Sequence, residues 1–341
     1  MIEILHPIDD HARISELRTK LDVVDGWHAA VDELAALRRF DGNLPTVDLE
    51  NADPYSRYVV FGWRSTMVRL PEPALFHRLR TSRNSFLITD DEQNRWSSAL
   101  IAVAGLSVGA SLLHTCVLTG ARRVRIADPD TLGPTNLNRL PASVCDLGVG
   151  KAELAWRRLL ETDPYLEAEV FVDGVTDEFA DSFFGGGSRC QPDVILEEVD
   201  DLAAKVAIRR RARAAGIPLV MVTDDGDNVI VDVERYDLDP DYPLFHGRAG
   251  DIDTLSTAEL RDPGNRTRIA EAIVGADIGP RTRSALGEVG VSIPSWPQLG
   301  SAATLAGAVG AITARRIVVG DDVVSGRVSV CADAVLRGSG D

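Results

Sequence analysis

The chain has 341 residues, enough to bury a large core as one large or two smaller domains. Its hydrophobic content of 45% and charged content of 26% are those of a soluble globular protein. The net charge of −16 argues against a general nucleic-acid or membrane-surface binder, and the apolar runs are broken by Gly, Arg or Asp short of a membrane span. The first residues, MIEILHPIDDHAR, lack a basic segment followed by an apolar one, so the expectation is a cytoplasmic protein without a signal peptide. Cys116, Cys145, Cys190 and Cys331 form no Cys-x-x-Cys pair, which speaks against a structural zinc site.

In chain order, Ile14 to Phe40 carries apolar residues at helical spacing, interrupted near Asp25-Gly26. Leu44 to Tyr58 reads as loop, Val59 to Met67 as a strand, and Pro71 to Arg80 as a short helix opened by proline. Residues 1–95 thus form an N-terminal extension with helices. From Ser98 the pattern changes. Strands are predicted at Ala99–Ala104, Val124–Ala127, Ala168–Val172, Val194–Leu196 and Pro218–Val222. Helices are predicted between them at Ser107–Thr119, Lys151–Glu161, Asp177–Phe184 and Asp201–Ala215. This alternation predicts the α/β class: a Rossmann-like, mostly parallel sheet with helices on both faces. Asp227–Val233, after the turn Asp224–Asp227, and Arg327–Cys331 supply antiparallel edge strands toward the C-terminal part. About 240–297, rich in Asp, Gly, Pro and Arg, reads as a loop-rich insertion. Leu299–Val319, rich in Ala and Gly, reads as a helix that packs closely on another element.

The chemistry gathers where strands end. Ala104-Gly105-Leu106-Ser107-Val108-Gly109 joins a strand to a helix, and backbone N–H groups at a helix N-terminus bind phosphate. Taken by itself this turn is a weak signal, and an ordinary α/β turn with a capping Asp explains it equally well. Asp128 follows Gly109 by nineteen residues at the end of the next strand, where an acid commonly holds ribose hydroxyls. Asn136 and Arg139 lie in the loop beyond, where open α/β sheets bind ligands, and arginine can hold phosphate bidentately. Lys151 starts a helix against the macrodipole, which suggests a bound anion; the plainer reading is a solvated lysine. Asp200 and Asp201 follow the fourth strand and could hold Mg²⁺ on phosphate oxygens, although Asp201 fits a helix N-cap better.

With these residues assembled, the chain resembles the ThiF/MoeB superfamily, whose adenylation domain is shared by ubiquitin-activating enzymes. The resemblance rests on Asp128-Pro129-Asp130, Asn136-Leu137-Asn138-Arg139, Gly148 through Lys151, and Val199-Asp200-Asp201, in that order. It covers about residues 80–235 and marks 96–341 as an ATP-binding adenylation domain. It implies ATP and Mg²⁺ as cofactors. By the same resemblance Gly105, Ser107, Gly109, Asp128, Asp130 and Asn136 contact the nucleotide, with Asp128 on the ribose. Arg139 and Lys151 bind the phosphates together with Asn136, and Asp200 holds the metal. Arg80-Thr81-Ser82-Arg83-Asn84 resembles the Arg-x-x-Arg-Gln element of the family, which makes Arg83 a candidate arginine supplied in trans within a homodimer. The plain alternative is a surface arginine. The N-terminal region resembles a bacterial subset of ThiF-like proteins, some of them fused to a nitroreductase-like domain.

The implied reaction is attack of a substrate carboxylate on the α-phosphate of ATP, giving an acyl adenylate and pyrophosphate. The carboxylate belongs to a peptide, a small carrier protein or a small metabolite. Three other readings stay open: a non-catalytic ATP-binding or scaffold subunit, a tRNA-modifying dehydratase, against which the acidic charge counts, and a NAD-binding Rossmann protein. Departures from the family pattern are Ala104 and Leu106 where glycine is usual, and no cysteine in the region after Asp200 where thioester-forming members carry one.

Overall fold

A computed structural model describes residues 2–337 apart from 43, 45–46, 48–51 and 276–277. Part of the stretch read as loop between Leu44 and Tyr58 therefore lies outside the described residues. The chain divides into two compact units: 1–90 with 160–165, and 91–159 with 166–341.

The first unit contains β1 (Ile2–Leu5), α1 (His11–Leu17), β2 (Asp22–Asp25), α2 (Trp27–Arg38), β3 (Ser56–Phe61), β4 (Thr66–Pro71) and α3 (Pro73–Thr81). A four-stranded sheet in the order β1-β3-β4-β2 accompanies the helices that periodicity predicts. The interruption near Asp25-Gly26 is where β2 ends and α2 begins. Leu5, Ile14, Leu17, Tyr58, Val60 and Met67 form its core. Glu72 caps α3 by accepting the N–H groups of Ala74 and Leu75, with Pro73 at the first helical position. Residues 160–165 join this unit through Glu161, which accepts from Trp63 Nε1 at 2.5 Å and from Arg64 at 2.8 and 2.9 Å.

In the second unit α4 (Asp90–Ser98) precedes β5 (Leu100–Ala104), α5 (Gly109–Leu118), β6 (Arg123–Ala127), α6 (Lys151–Thr162), β7 (Glu167–Phe171), α7 (Asp177–Phe184), β8 (Val194–Glu197), α8 (Leu202–Ala215) and β9 (Leu219–Asp225). Then come β10 (Asn228–Glu234), α9 (Thr257–Arg261), α10 (Pro263–Val274), α11 (Pro280–Leu286), α12 (Gly300–Val319), β11 (Gly326–Val330) and α13 (Ala332–Arg337). The sheet order is β11-β10-β9-β8-β5-β6-β7. Strands β5 to β9 pair in parallel, and β10 and β11 are antiparallel, as the alternation predicts. From β5 the chain first builds outward through β6 and β7, then returns to β8 on the other side. That reversal places a crevice at the carboxyl end of β5, where this architecture binds ligands.

The segment read as a loop-rich insertion is corrected in part, because it holds α9, α10 and α11. Its helix starts are local: Ser256 and Glu259 form a capping box, and Asp262 caps α10 with Pro263 behind it. Composition hides such signals because capping residues and loop residues are the same types. The statement that apolar runs stay short of a membrane span also needs correction: α12, at 20 residues, is long and apolar enough by length and composition, and half of it is buried.

Helix α12 lies on α5 and β9 through a seam of small residues. A Cβ added at Gly307 would sit 2.8 Å from the Ser111 carbonyl oxygen, and one at Gly310 would sit 2.6 Å from Leu112 Cδ2. The first obstacle is backbone and cannot give. Gly307→Ala is expected to cost about 1–3 kcal/mol in urea unfolding, whereas exposed Thr304→Ala on the same helix stays within about 0.5 kcal/mol.

A fully buried ionic set ties β8, α8 and β10 together. Arg209 bonds Glu197 and lies 2.7 Å from Glu234, and all three side chains are excluded from solvent. The Arg209 guanidinium also stacks 3.9 Å from the Phe245 ring centroid. Burial disfavours the Glu197 carboxylate, but Lys205 and Arg209 outweigh it and hold its pKa below the usual range.

Candidate active site

The strand β5 ends at Ala104, and Gly105 turns the chain with φ +88°, a left-handed conformation suited to glycine. An added Cβ there would lie 2.4 Å from the Glu198 carbonyl, so the turn is pressed against the residues that follow β8. Gly109 opens α5, whose first N–H groups have no helical carbonyl ahead of them. Its own Cβ position is 3.3 Å from the Glu198 side chain. Leu106 is buried, 1% exposed, and its N–H donates to Asp128 Oδ2 at 2.6 Å.

Asp128, at the end of β6, therefore holds the turn. Its other oxygen accepts the Asp130 N–H at 2.8 Å. Burial raises its pKa, opposed by the charge of Lys151 and by those two N–H groups. Asp130 is exposed and pairs with Lys151 Nζ at 2.8 Å, while the Lys151 N–H donates to the Asp130 carbonyl. Lys151 itself is only 9% exposed, so the solvated-lysine reading does not hold.

Asn136 closes a tight turn by accepting the Gly133 N–H through Oδ1 at 2.9 Å. That turn presents Arg139, whose Nε donates to Ser107 Oγ at 2.8 Å and whose Nη1 donates to the Thr135 carbonyl and to Asn138 Oδ1. Nη2 of Arg139 has no hydrogen-bond partner among the described residues. Burial lowers the Arg139 pKa, opposed by the negative charges of Asp200 and Asp224.

The structure thus brings Gly105, Ser107, Gly109, Asp128, Asp130, Asn136, Arg139 and Lys151 to one end of the sheet. Asp200 stands exposed after β8, within electrostatic reach of Arg139. Asp201 caps α8 by accepting the Ala204 N–H, as expected. Arg83 lies in the other unit, exposed on the turn Ser82–Asn84. Among the described residues no group of three or more His, Cys, Asp or Glu is arranged for a metal ion.

Two residues of this region escape the sequence reading. Gln298, just before α12, accepts from Ser107 Oγ at 3.4 Å, and its carbonyl accepts from Asn138 Nδ2 at 2.7 Å. Asp224, at the end of β9, is 4% exposed, and burial pushes its pKa up to about 6 against the influence of Gln298 and Arg139. The sequence signal for Asp224 was its place at a strand end, which the turn Asp224–Asp227 obscured. Gln298 had none, because only the path of the chain brings it back.

A strand, a glycine turn, an acid holding that turn, and an arginine anchored beside it make up the strand–turn–helix arrangement at which open α/β sheets bind ligands. Residues 81–226 match the family described as the ThiF family, and this segment is a ThiF-family domain. The uncharacterized protein MT1398 of Mycobacterium tuberculosis is 34% identical over 331 residues, 96% of this chain and 44% of that protein. The tRNA threonylcarbamoyladenosine dehydratase 2 of Saccharomyces cerevisiae is 26% identical over 147 residues, 42% of this chain and 32% of that enzyme. The chain spans less than half the length of these relatives. The crystal structure of selenomethionine PaaA shares the fold, with a TM-score of 0.50 at 14% identity over 88% of this chain and 87% of that one.

Proposed function

We propose that the protein adenylates a substrate carboxylate with ATP and Mg²⁺, releasing pyrophosphate. The observation that carries this reading is Arg139. It is anchored by three hydrogen bonds beside the Gly105 turn and keeps Nη2 open, which suits a group that meets a phosphate. Ser107 fixes its direction. Asn136 shapes the loop that presents it. The N–H groups at the start of α5 favour negative charge in the same place. Lys151 would exchange part of its contact with Asp130 for a phosphate oxygen, and Asp130 then accepts from ribose. Asp128 keeps the turn in shape rather than reaching out.

Magnesium typically takes one or two carboxylates and completes its shell with phosphate oxygens and water, so the single exposed Asp200 fits it. Bound there, the ion would neutralise the triphosphate and polarise the phosphorus. The residues contribute alignment and charge neutralisation, which is the chemistry that attack by a carboxylate needs. We further propose a homodimer in which Arg83 completes the partner's site.

ATP–pyrophosphate exchange tests both ideas. Exchange is expected only when a carboxylic acid is present. Mixing inactive Arg83→Ala and Lys151→Ala proteins is expected to restore up to about a quarter of the activity, since a shared dimer site pairs two intact halves. Absence of ATP binding in the presence of Mg²⁺ would sink the adenylation reading. Absence of restoration would sink the trans arginine alone.

A further inference from the structure

Asp224 is the polar group of this unit least accounted for by its surroundings. It is 4% exposed, both carboxylate oxygens are closed off from solvent, and neither makes a hydrogen bond of regular geometry among the described residues, the Gln298 amide alone lying near enough to favour its charged form. Its neighbour Asp225 is the opposite case, accepting the Gly279 N–H at 2.8 and 3.0 Å. A buried carboxylate served by one loosely placed amide and no cation is costly and calls for an explanation.

Its location supplies one. Side chains alternate along β9, so Asp224 shares a face with Val222, and a Cβ at Gly310 of α12 would lie 3.2 Å from Val222 Cγ2. Asp224 therefore stands on the α12 face at the carboxyl end of its strand. Gln298 reaches it there while also meeting Ser107, the anchor of Arg139. Arg139 and Asp224 feel each other's charge but form no ion pair. A guanidinium nitrogen without a partner and a buried carboxylate thus lie within electrostatic reach of each other without pairing, joined through Gln298 and Ser107.

That arrangement complements a ligand carrying both charges. A buried carboxylate and a glutamine carbonyl are both acceptors, which suits the three donors of an ammonium group. We propose that Asp224 binds the protonated amino group of the acid whose carboxylate is activated, so that the substrates are amino acids. This rests on the adenylation reading and narrows it to one substrate class.

The test is ATP–pyrophosphate exchange by the full chain with α-amino acids and with their 2-hydroxy isosteres: alanine against lactate, aspartate against malate, glutamate against 2-hydroxyglutarate. The best amino acid is expected to exceed its hydroxy isostere on the order of 100-fold in kcat/KM, because a site built for a polar group is left unpaired by the analogue. Asp224→Asn is expected to bring that ratio to within about threefold of unity, since the isosteric amide removes the charge and little else. Its melting temperature is expected to equal or exceed that of the parent, which separates a lost anchor from a lost fold.

Equal exchange with both acid series overturns the proposal. So does an Asp224→Asn protein that keeps the ratio, or a parent that binds ATP and exchanges with no amino acid of the set. ATP binding is measured alongside by equilibrium dialysis; its absence strikes the adenylation reading itself.

Discussion

Arg139→Ala is expected to lower kcat/KM for ATP–pyrophosphate exchange by about 10²–10³, the loss typical of removing one preorganised group that meets developing charge. The size follows from the anchoring. Ser107 and the Thr135 carbonyl hold the guanidinium before any ligand arrives, so little reorganisation is left to the reaction. Arg139→Lys is expected to recover only a small part, because an ammonium cannot bond Ser107 through one edge and a phosphate through another. Stability is expected to change by only about 1 kcal/mol, since the side chain is half-buried and its partners can turn to water. Exchange within threefold of the parent would remove Arg139 from the site.

The second large effect is on the fold. Arg209→Met is expected to destabilise the protein by about 3–5 kcal/mol, because Glu234 would be left buried without its cation and Glu197 with Lys205 alone. Urea unfolding at pH 7 measures it. Replacing all three residues together, with glutamine for each glutamate, is expected to recover most of the loss, since an apolar or neutral set no longer confines unpaired charge. The pH dependence has a definite sign. The Glu197 pKa lies below 4.5 in the folded state, so its contribution is present above pH 4.5 and fades as pH falls through the lowered value. The gap between parent and Arg209→Met should therefore narrow in acid, where the stranded carboxylates take up protons. A gap that widens in acid would show that the set is held by packing rather than by charge.

Much of the second unit was legible because its signals are local. Apolar runs such as Leu100–Ala104 and Val194–Leu196 mark buried parallel strands, and Asp128 just past a strand end, Arg139 in the loop beyond it and Lys151 at the next helix start lie where such sheets bind ligands. The position of Asp128 was visible, but not that one oxygen would accept the Leu106 N–H of the glycine turn and the other the Asp130 N–H of its own loop. In the first unit β1 and β2, only four residues each, offered too little periodicity against neighbouring helices. The helices α9 to α11 were hidden because Ser, Asp and Pro serve both as caps and as loop residues. Gln298 and Asp224 could not be paired at all, since nothing within a short stretch of sequence links them.

The contact between Ser107 and Gln298 spans 191 residues, and α12 must dock on α5 across nearly the same length of chain. Long-range closure of this kind is slow. During synthesis the glycine turn, β5 and β6 emerge long before the helix that covers them. For most of translation the nascent domain therefore exposes the apolar face of α5 and an unfinished sheet, a state prone to sticking. The proposed site is completed as one of the last acts of folding, so a truncated or stalled chain carries the glycine turn, Arg139 and Lys151 without the helix that closes over them.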